Sequence, residues 1–183
     1  MTTSLRRVMS QQVDVIPLVE EDLIWLWHWN VEVPDAAWKK WDGPYFGDVD
    51  SRDYYEFCAD WRPRLQSGDR ALVTVEGHRC GFVNRFEEPP AGGGWWELGV
   101  VIFDPELWGQ GIGTRALSSW VRQTFRETDA HVLTMTTWSG NERMMRCATG
   151  LGFSECGRVP GARLWQGRRW DSVTMSLVRD PRL

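Results

Sequence analysis

The sequence predicts one mixed α/β domain with elements in the order β-α-α-β-β-β-α-β-α-β-β. Three observations carry that prediction. A chain of 183 residues suits a single domain with a real core. The apolar period changes from helical to strand-like at Arg70, and a glycine-rich segment, Gly109 to Gly113, lies between an apolar strand and an amphipathic helix.

The elements follow in order. Val13 to Leu18 reads as a short strand ending near Pro17. From Leu23 the apolar residues Leu23, Leu26 and Trp27 fall at helical spacing, with Glu20, Glu21 and Asp22 at the positive helix start. Val31 to Asp50 holds two prolines and two glycines with no steady period, so it reads as a long loop. Asp50 or Ser51 then caps a helix whose Tyr54, Phe57, Cys58, Trp61 and Leu65 share one face, with Pro63 placed to kink or end it. Arg70 to Glu76, a turn at Gly77, and Cys80 to Phe86 form a hairpin. Trp95 to Phe103 is a nearly continuous apolar strand, interrupted by Glu97 and Gly99. The helix after the glycines carries Ala116, Leu117, Trp120, Val121, Thr124 and Phe125 on one face. His131 to Thr136 is a strand, Asn141 to Leu151 a helix stopped by Gly152, and Phe153 to Val159 and Trp170 to Val178 are strands joined by a glycine-rich turn.

Composition narrows the function. No apolar run approaches a membrane span, and Arg6 and Arg7 are followed by Asp14 and Pro17, which is not an export signal. Cys58, Cys80, Cys147 and Cys156 lack a Cys-x-x-Cys spacing and read as buried reduced thiols, which suits a cytoplasmic location. The three histidines show no metal-ligand pattern. A formal net charge of -4 argues against nucleic acid as partner. The charge is unevenly spread: residues 14–60 carry twelve acids against three bases, residues 61–183 thirteen against sixteen. One half can attract a cation and the other hold an anion, or the acids merely coat exposed helix faces.

Strand, glycine loop and amphipathic helix in succession make an anion cradle, because backbone N–H groups converge at a helix N-terminus. A phosphate loop of the Gly-Lys-Ser/Thr type is excluded, since no such triplet occurs here. The dinucleotide fingerprint is formally met by Gly111, Gly113 and Ala116, but the strand His131 to Thr137 ends without the acid that would hold a ribose. A plain structural turn is the remaining alternative.

The residues Trp108-Gly109-Gln110-Gly111-Ile112-Gly113 resemble the Gln/Arg-x-x-Gly-x-Gly/Ala loop of the GNAT N-acetyltransferases, with Trp in the first position as in the branch of ribosomal-protein N-terminal acetyltransferases. The stretch Glu97 to Pro105 is similar to that family's fourth strand, and Asn141 to Phe153 to its Asn-helix-Leu-Gly-Phe segment. Together the three motifs extend the resemblance over residues 13 to 178. It implies a mixed, mostly antiparallel sheet of about seven strands with four helices, and acetyl-CoA as cosubstrate with no metal. The backbone of Val101, Ile102 and Phe103 would pair with the pantetheine arm, as an added strand pairs with a sheet edge. Gly109, Gln110, Gly111, Ile112, Gly113 and Thr114 would hold the pyrophosphate. Asn141 would hydrogen-bond the pantetheine, cap its helix, or do both. Arg115 stands near a phosphate or in solvent.

Acetyl transfer to an amine needs a proton acceptor, because alkyl amines are mostly protonated at neutral pH. Glu97 is the one acid inside the fourth-strand pattern and reads either as that base or as a spacer in an alternating strand. A backbone N–H near Val100 or Val101 would serve the oxyanion if Gly99 marks a bulge. Ala148 and Met144 stand where relatives carry a Tyr or Ser acid, leaving Tyr45, Tyr54 and Tyr55 as distant candidates. The acceptor is accordingly a protein N-terminus or a small-molecule amine, drawn by carboxylates and by Trp25, Trp27, Trp29, Trp38, Trp41, Tyr45, Phe46 and Trp165, most of which also suit a core. A homodimer is compatible with this reading, and so is a CoA-binding module without turnover.

Overall fold

The computed structural model describes residues 11–33, 36–45 and 52–180. Arg6, Arg7, Phe46, Asp48, Asp50 and Ser51 lie outside them. Seven strands form one sheet: β1 (Val13–Pro17), β2 (Arg70–Val75), β3 (His78–Glu87), β4 (Trp95–Ile102), β5 (Val132–Trp138), β6 (Ser154–Trp165) and β7 (Arg168–Val178). The spatial order is β1-β2-β3-β4-β5-β7-β6. Every neighbouring pair is antiparallel except β4 with β5, which run parallel.

The described residues hold five α-helices: α1 (Leu23–Trp27), α2 (Lys39–Asp42), α3 (Tyr54–Leu65), α4 (Ile112–Glu127) and α5 (Glu142–Gly150). The sequence predicts four, and the extra one is α2, inside the stretch read as loop. Four residues are too few for a period to show. What holds α2 is tertiary: Trp38 packs edge-on against Phe103, and Lys39 Nζ donates to the Val33 carbonyl at 3.0 Å. The cap of α3 also differs from expectation. Asp53 accepts from the Glu56 N–H at 2.9 Å while Glu56 accepts from the Asp53 N–H at 3.1 Å, a reciprocal capping box. Pro63 sits in the last turn, where its missing N–H forfeits one helical bond without stopping the helix before Leu65.

Strand alternation divides the core in two. Val73, Val83, Leu98, Leu133, Met135, Val173 and Met175 face α4 and α5, meeting Leu117, Trp120 and Ala148. Leu72, Phe82, Val101 and Phe103 face the other way, toward α1 and α3, where Leu23, Leu26, Phe57 and Trp61 cover them. Trp25, Trp29 and Trp38 crowd around the fully buried Phe103 ring at 5.2–5.6 Å, so these three are core residues. The last hairpin is longer than its sequence period shows. Bulges in β6 near Glu155/Gly157 and Val159/Arg163 interrupt the alternation and absorb Pro160. The connecting turn is only Gln166-Gly167, both at positive φ, as a tight hairpin requires.

All four cysteines are free, but they are not uniformly buried. Cys58 and Cys80 are enclosed, and Cys147 is half-buried. Cys156, on the bulged edge strand β6, is exposed against expectation. Burial pushes the Cys80 thiol up to about 11, so little thiolate exists there near neutrality. A thiol reagent at neutral pH should therefore label Cys156 first, and Cys58 and Cys80 only on unfolding. Mass spectrometry of the labelled peptides checks this order, and early modification of Cys80 would contradict the packing described.

Candidate active site

The site begins where β4 and β5 part. Their parallel pairing spans only Trp95 to Glu97 against Val132 to Thr134. Beyond Glu97 the strands diverge while β4 stays paired to β3 as far as Ile102. Two hydrogen bonds fix which backbone groups the fork leaves open. The Phe103 N–H donates to the Cys80 carbonyl at 2.9 Å and the Glu88 N–H to the Trp95 carbonyl at 2.8 Å. By alternation, residues 95, 97, 99, 101 and 103 turn their backbone toward β3, and 96, 98, 100 and 102 turn theirs toward the fork. Of Val101, Ile102 and Phe103, expected to pair with a pantetheine arm, only Ile102 turns its backbone to the opening. Ile102 and Val100 face the opening, whereas Val101 and Phe103 are committed to β3. Trp108 Nε1 donates to the Ile102 carbonyl at 2.8 Å, so Val100 and the Ile102 N–H make up the open edge.

The divergence does not come from a bulge at Gly99. Gly99 pairs regularly with Asn84, and its missing side chain makes room for the Asn84 amide. Glu97 stands at the apex instead. Thr134 Oγ1 donates to one carboxylate oxygen, and the Thr136 N–H, next in line on β5 to bond β4, donates to the other. Trp95 Nε1 in turn donates to Thr134 Oγ1 at 2.7 Å. A side chain thus replaces the ladder bond that the fork removes. Glu97 is 9% exposed, and burial raises its carboxyl above the ordinary range against the opposing pull of the threonine bonds.

A cleft of about 600 Å³ opens from this fork. Val100, Val101 and Ile102 form one wall, and Gly109, Gly111, Ile112, Gly113 and Thr114 form its end. Gly109 and Gly111 have φ of 76° and 73°, a region that favours glycine, and the turn they make presents the first N–H groups of α4 to the cleft. A Cβ at Gly109 would meet nothing within 4 Å, so the space above the loop is open. Gln110 turns outward and donates to the Glu106 carbonyl at 2.7 Å, leaving only its backbone for the cradle. Ile112 is buried beneath the loop, and Thr114 Oγ1 contacts Cys147 Sγ at 3.3 Å. Arg115 folds back onto the Gln110 carbonyl at 3.1 Å. Open N–H groups at a helix start, beside an apolar wall with a free backbone edge, fit a long anionic ligand with an amide-bearing arm.

Asn141 does cap α5, accepting from the Met144 N–H at 3.1 Å. Its amide also donates to the Trp41 carbonyl at 3.0 Å, and Trp138 Nε1 donates to the same oxygen at 2.9 Å. Tyr45 OH reaches the Thr137 carbonyl at 2.9 Å. These bonds fasten residues 41–45 across the mouth of the fork, which the loop reading could not foresee. They bring Trp41 and Asp42 into the cleft, together with Arg143, whose guanidinium lies 4.9 Å from both the Trp41 and Trp108 rings. The residues that sequence reasoning missed are Arg143 and the pairing of Trp41 with Trp108 around it; only their separation by fold hid them. Ala148 is fully buried, Met144 lines the cleft, Tyr54 contacts Cys58, and Tyr55 is 79% exposed. Among the described residues no cluster of three His, Cys, Asp or Glu could hold a metal, and no helix is long and apolar enough to cross a membrane.

A family model described as an acetyltransferase (GNAT) domain matches residues 13–154. Comparison with curated protein sequences finds no match. Many solved structures share the fold. Spermidine N-acetyltransferase from Vibrio cholerae, in complex with CoA and spermine, superposes with a TM-score of 0.75 at 16% identity, covering 91% of this chain and 95% of that one. A ribosomal-protein α-N-acetyltransferase in complex with coenzyme A gives 0.73 at 16% identity, over 92% and 94%. The yncA protein from Salmonella typhimurium with its cofactor acetyl-CoA gives 0.72 at 19%, over 94% and 95%.

The raised Glu97 carboxyl has a consequence for stability. A group that holds its proton more tightly when folded contributes stability that is complete below the ordinary carboxylate pKa and lost as pH rises through the folded value. As pH rises above the ordinary glutamate value of about 4.3, wild type should therefore lose stability relative to Glu97→Gln. Melting curves of the two proteins from that value upward check it, and parallel curves would mean that Glu97 charges freely at the apex.

Proposed function

The chain belongs to the GNAT acetyltransferase family, and from that premise we propose that it transfers the acetyl group of acetyl-CoA to a primary amine, either a protein N-terminus or a small molecule, by direct attack. The observation that carries the reading is the fork itself, a backbone edge at Val100 and Ile102 leading to a glycine cradle at the start of α4. Bound acetyl-CoA supplies a thioester whose carbonyl carbon the amine attacks. Gly109 to Thr114 hold the pyrophosphate with backbone N–H groups, and Val100 and Ile102 align the pantetheine arm. Asn141 keeps the Trp41 carbonyl and the α5 start in place beside that arm. An N–H on the open edge of β4 stands ready for the developing oxyanion.

Glu97 is the proton acceptor in this reading. Burial makes its carboxylate a stronger base, against the opposing pull of its bonds from Thr134 and Thr136. The amine gives up its proton, the nitrogen gains the acetyl group, the carbon–sulfur bond breaks, and the thiolate takes up a proton. The similar structures that act on ribosomal-protein N-termini and on spermidine both fit the class of acceptor, and four free cysteines fit a cytoplasmic setting. Met144 and Ala148, in place of a hydroxyl acid, favour the second reading of a CoA-binding module without turnover. CoA release in the presence of amines, measured beside binding alone, decides between the two.

Gly111→Asp should weaken acetyl-CoA binding at least tenfold, about 1.4 kcal/mol, by setting a carboxylate in the cradle. The nearest atom to the new side chain is the flexible Arg115 tip at 3.1 Å, but a side chain at this positive φ costs about 1–2 kcal/mol, so circular dichroism must show a folded variant before affinity is read. Gly109→Asp, with open space around it, repeats the test without Arg115. Unchanged affinity by calorimetry in both folded variants would remove the cradle assignment.

Glu97→Gln should slow transfer about a hundredfold near neutral pH while acetyl-CoA still binds, and the deficit should shrink at high pH, where more amine is free. Wild-type turnover in this variant would reduce Glu97 to a support of the strand fork.

A further inference from the structure

One carboxylate lines the cleft, that of Asp42, and its place there sets it apart from the other acids of the described chain. Asp22 is paired with Arg79, Asp60 with Arg52 and Arg64, Asp171 with Arg158, and Glu97 is bonded to β5. The Asp42 carboxylate has no hydrogen bond or ion pair among the described residues, and burial alone raises its proton affinity. Asp42 is half-buried, and taking an acid even partly out of water without a partner is unfavourable, so a cationic ligand would offset the loss.

The position is also rigid. Asp42 ends α2, and the bonds described above clamp it from both sides: the Trp41 carbonyl before it is held by Trp138 and Asn141, and Tyr45 after it is anchored on Thr137. Gly43, at a φ of 54°, lies so close to the Trp138 indole that any side chain there would collide with the ring. The clamp therefore fixes the backbone that carries Asp42 at the edge of the cleft.

The cations that share the cleft are engaged elsewhere. Arg143 lies 4.9 Å from both the Trp41 and Trp108 ring centres, and Arg146 pairs with Glu142 at 3.0 Å. Lys39, on the same helix, donates to the Val33 carbonyl. Trp38 and Trp41 line the same cleft as the acid, together with Val100 and Val101 of β4. A carboxylate beside indole faces is the chemistry that receives an ammonium group.

We propose that Asp42 is the counter-ion of the acceptor's ammonium group, so that the cleft selects cationic primary amines and delivers them to the open edge of β4. This rests on the acetyltransferase reading and names the residue that recognises its second substrate. Asp42 binds the ammonium; Glu97 removes the proton. The two carboxylates therefore separate in kinetics, one acting on KM and the other on kcat.

The test uses the full chain loaded with CoA or acetyl-CoA, with benzylamine, 1,4-diaminobutane and alaninamide as probes. For Asp42→Asn, Kd by calorimetry and KM by CoA release should both rise at least about tenfold for the cationic amines, while kcat changes less than threefold and CoA affinity stays at the wild-type value. Asp42→Glu, which keeps the charge, should recover part of the loss. Unchanged KM and Kd in Asp42→Asn would overturn the inference, as would a loss confined to kcat or a glutamate variant no better than the asparagine one. If wild-type protein binds acetyl-CoA but acetylates none of the three amines, the acetyltransfer reading itself fails, and the role of Asp42 with it.

Discussion

The parallel contact between β4 and β5 is the constraint on which the rest of the structure depends. It lasts for three residues on each strand and then stops. Continued pairing would have filled the centre of the sheet and left no site. Its early end strands polar backbone groups in a buried region, and each must find another partner. The Thr136 N–H finds the Glu97 carboxylate, and the Ile102 carbonyl finds the Trp108 indole. The remaining edge, at Val100 and Ile102, is a strand without a neighbour, which a ligand with amides of its own can complete.

The elements around the fork are arranged to keep it open. On one face, α4 starts at the glycine turn and lays Ala116, Leu117 and Trp120 on the sheet, so its N-terminus cannot drift from the end of β4. Trp120 Nε1 donates to the Asn84 carbonyl at 3.0 Å and ties the same helix to β3. On the other face, the Phe103 ring anchors Trp25, Trp29 and Trp38, and through Trp38 the segment that crosses the mouth. The polar clamp at the Trp41 carbonyl joins that segment to β5 and α5. Both strands of the fork are thus held by packing from opposite sides of the sheet.

The electrostatics follow the same division. The glycine end of the cleft carries helix N–H groups, and Arg143, Arg146 and the single carboxylate of Asp42 line the rest. The excess of acids in residues 14–60 over those of the later chain, visible in the sequence, has a structural counterpart in this one cleft. Most of the other acids in that stretch serve the fold: Asp53 and Glu56 cap α3, and Glu20 pairs with Arg62 on the surface. Overall charge does not distinguish the acid that lines the cleft from those that serve the fold.

The sequence by itself determined what local chemistry determines. Alternating apolar residues gave the strands, the face from Ala116 to Phe125 gave α4, and the glycines from Gly109 to Gly113 gave the turn that starts it, because each depends on neighbours a few residues apart. Its errors have the same origin: α2 was too short for a period, the α3 cap was misplaced by a few residues, and bulges hid the extent of β6. Only the tertiary structure decided which backbone groups of β4 face the opening, since that parity is set by the Phe103 and Glu88 bonds to distant partners. It also decided that Glu97 is tied to β5 while Asp42 is left unpaired in the cleft, although the two look alike as acids in a sequence. Partners 39 to 100 residues away make that difference. A sequence records the charge a residue can carry, but the fold alone settles what stands beside it.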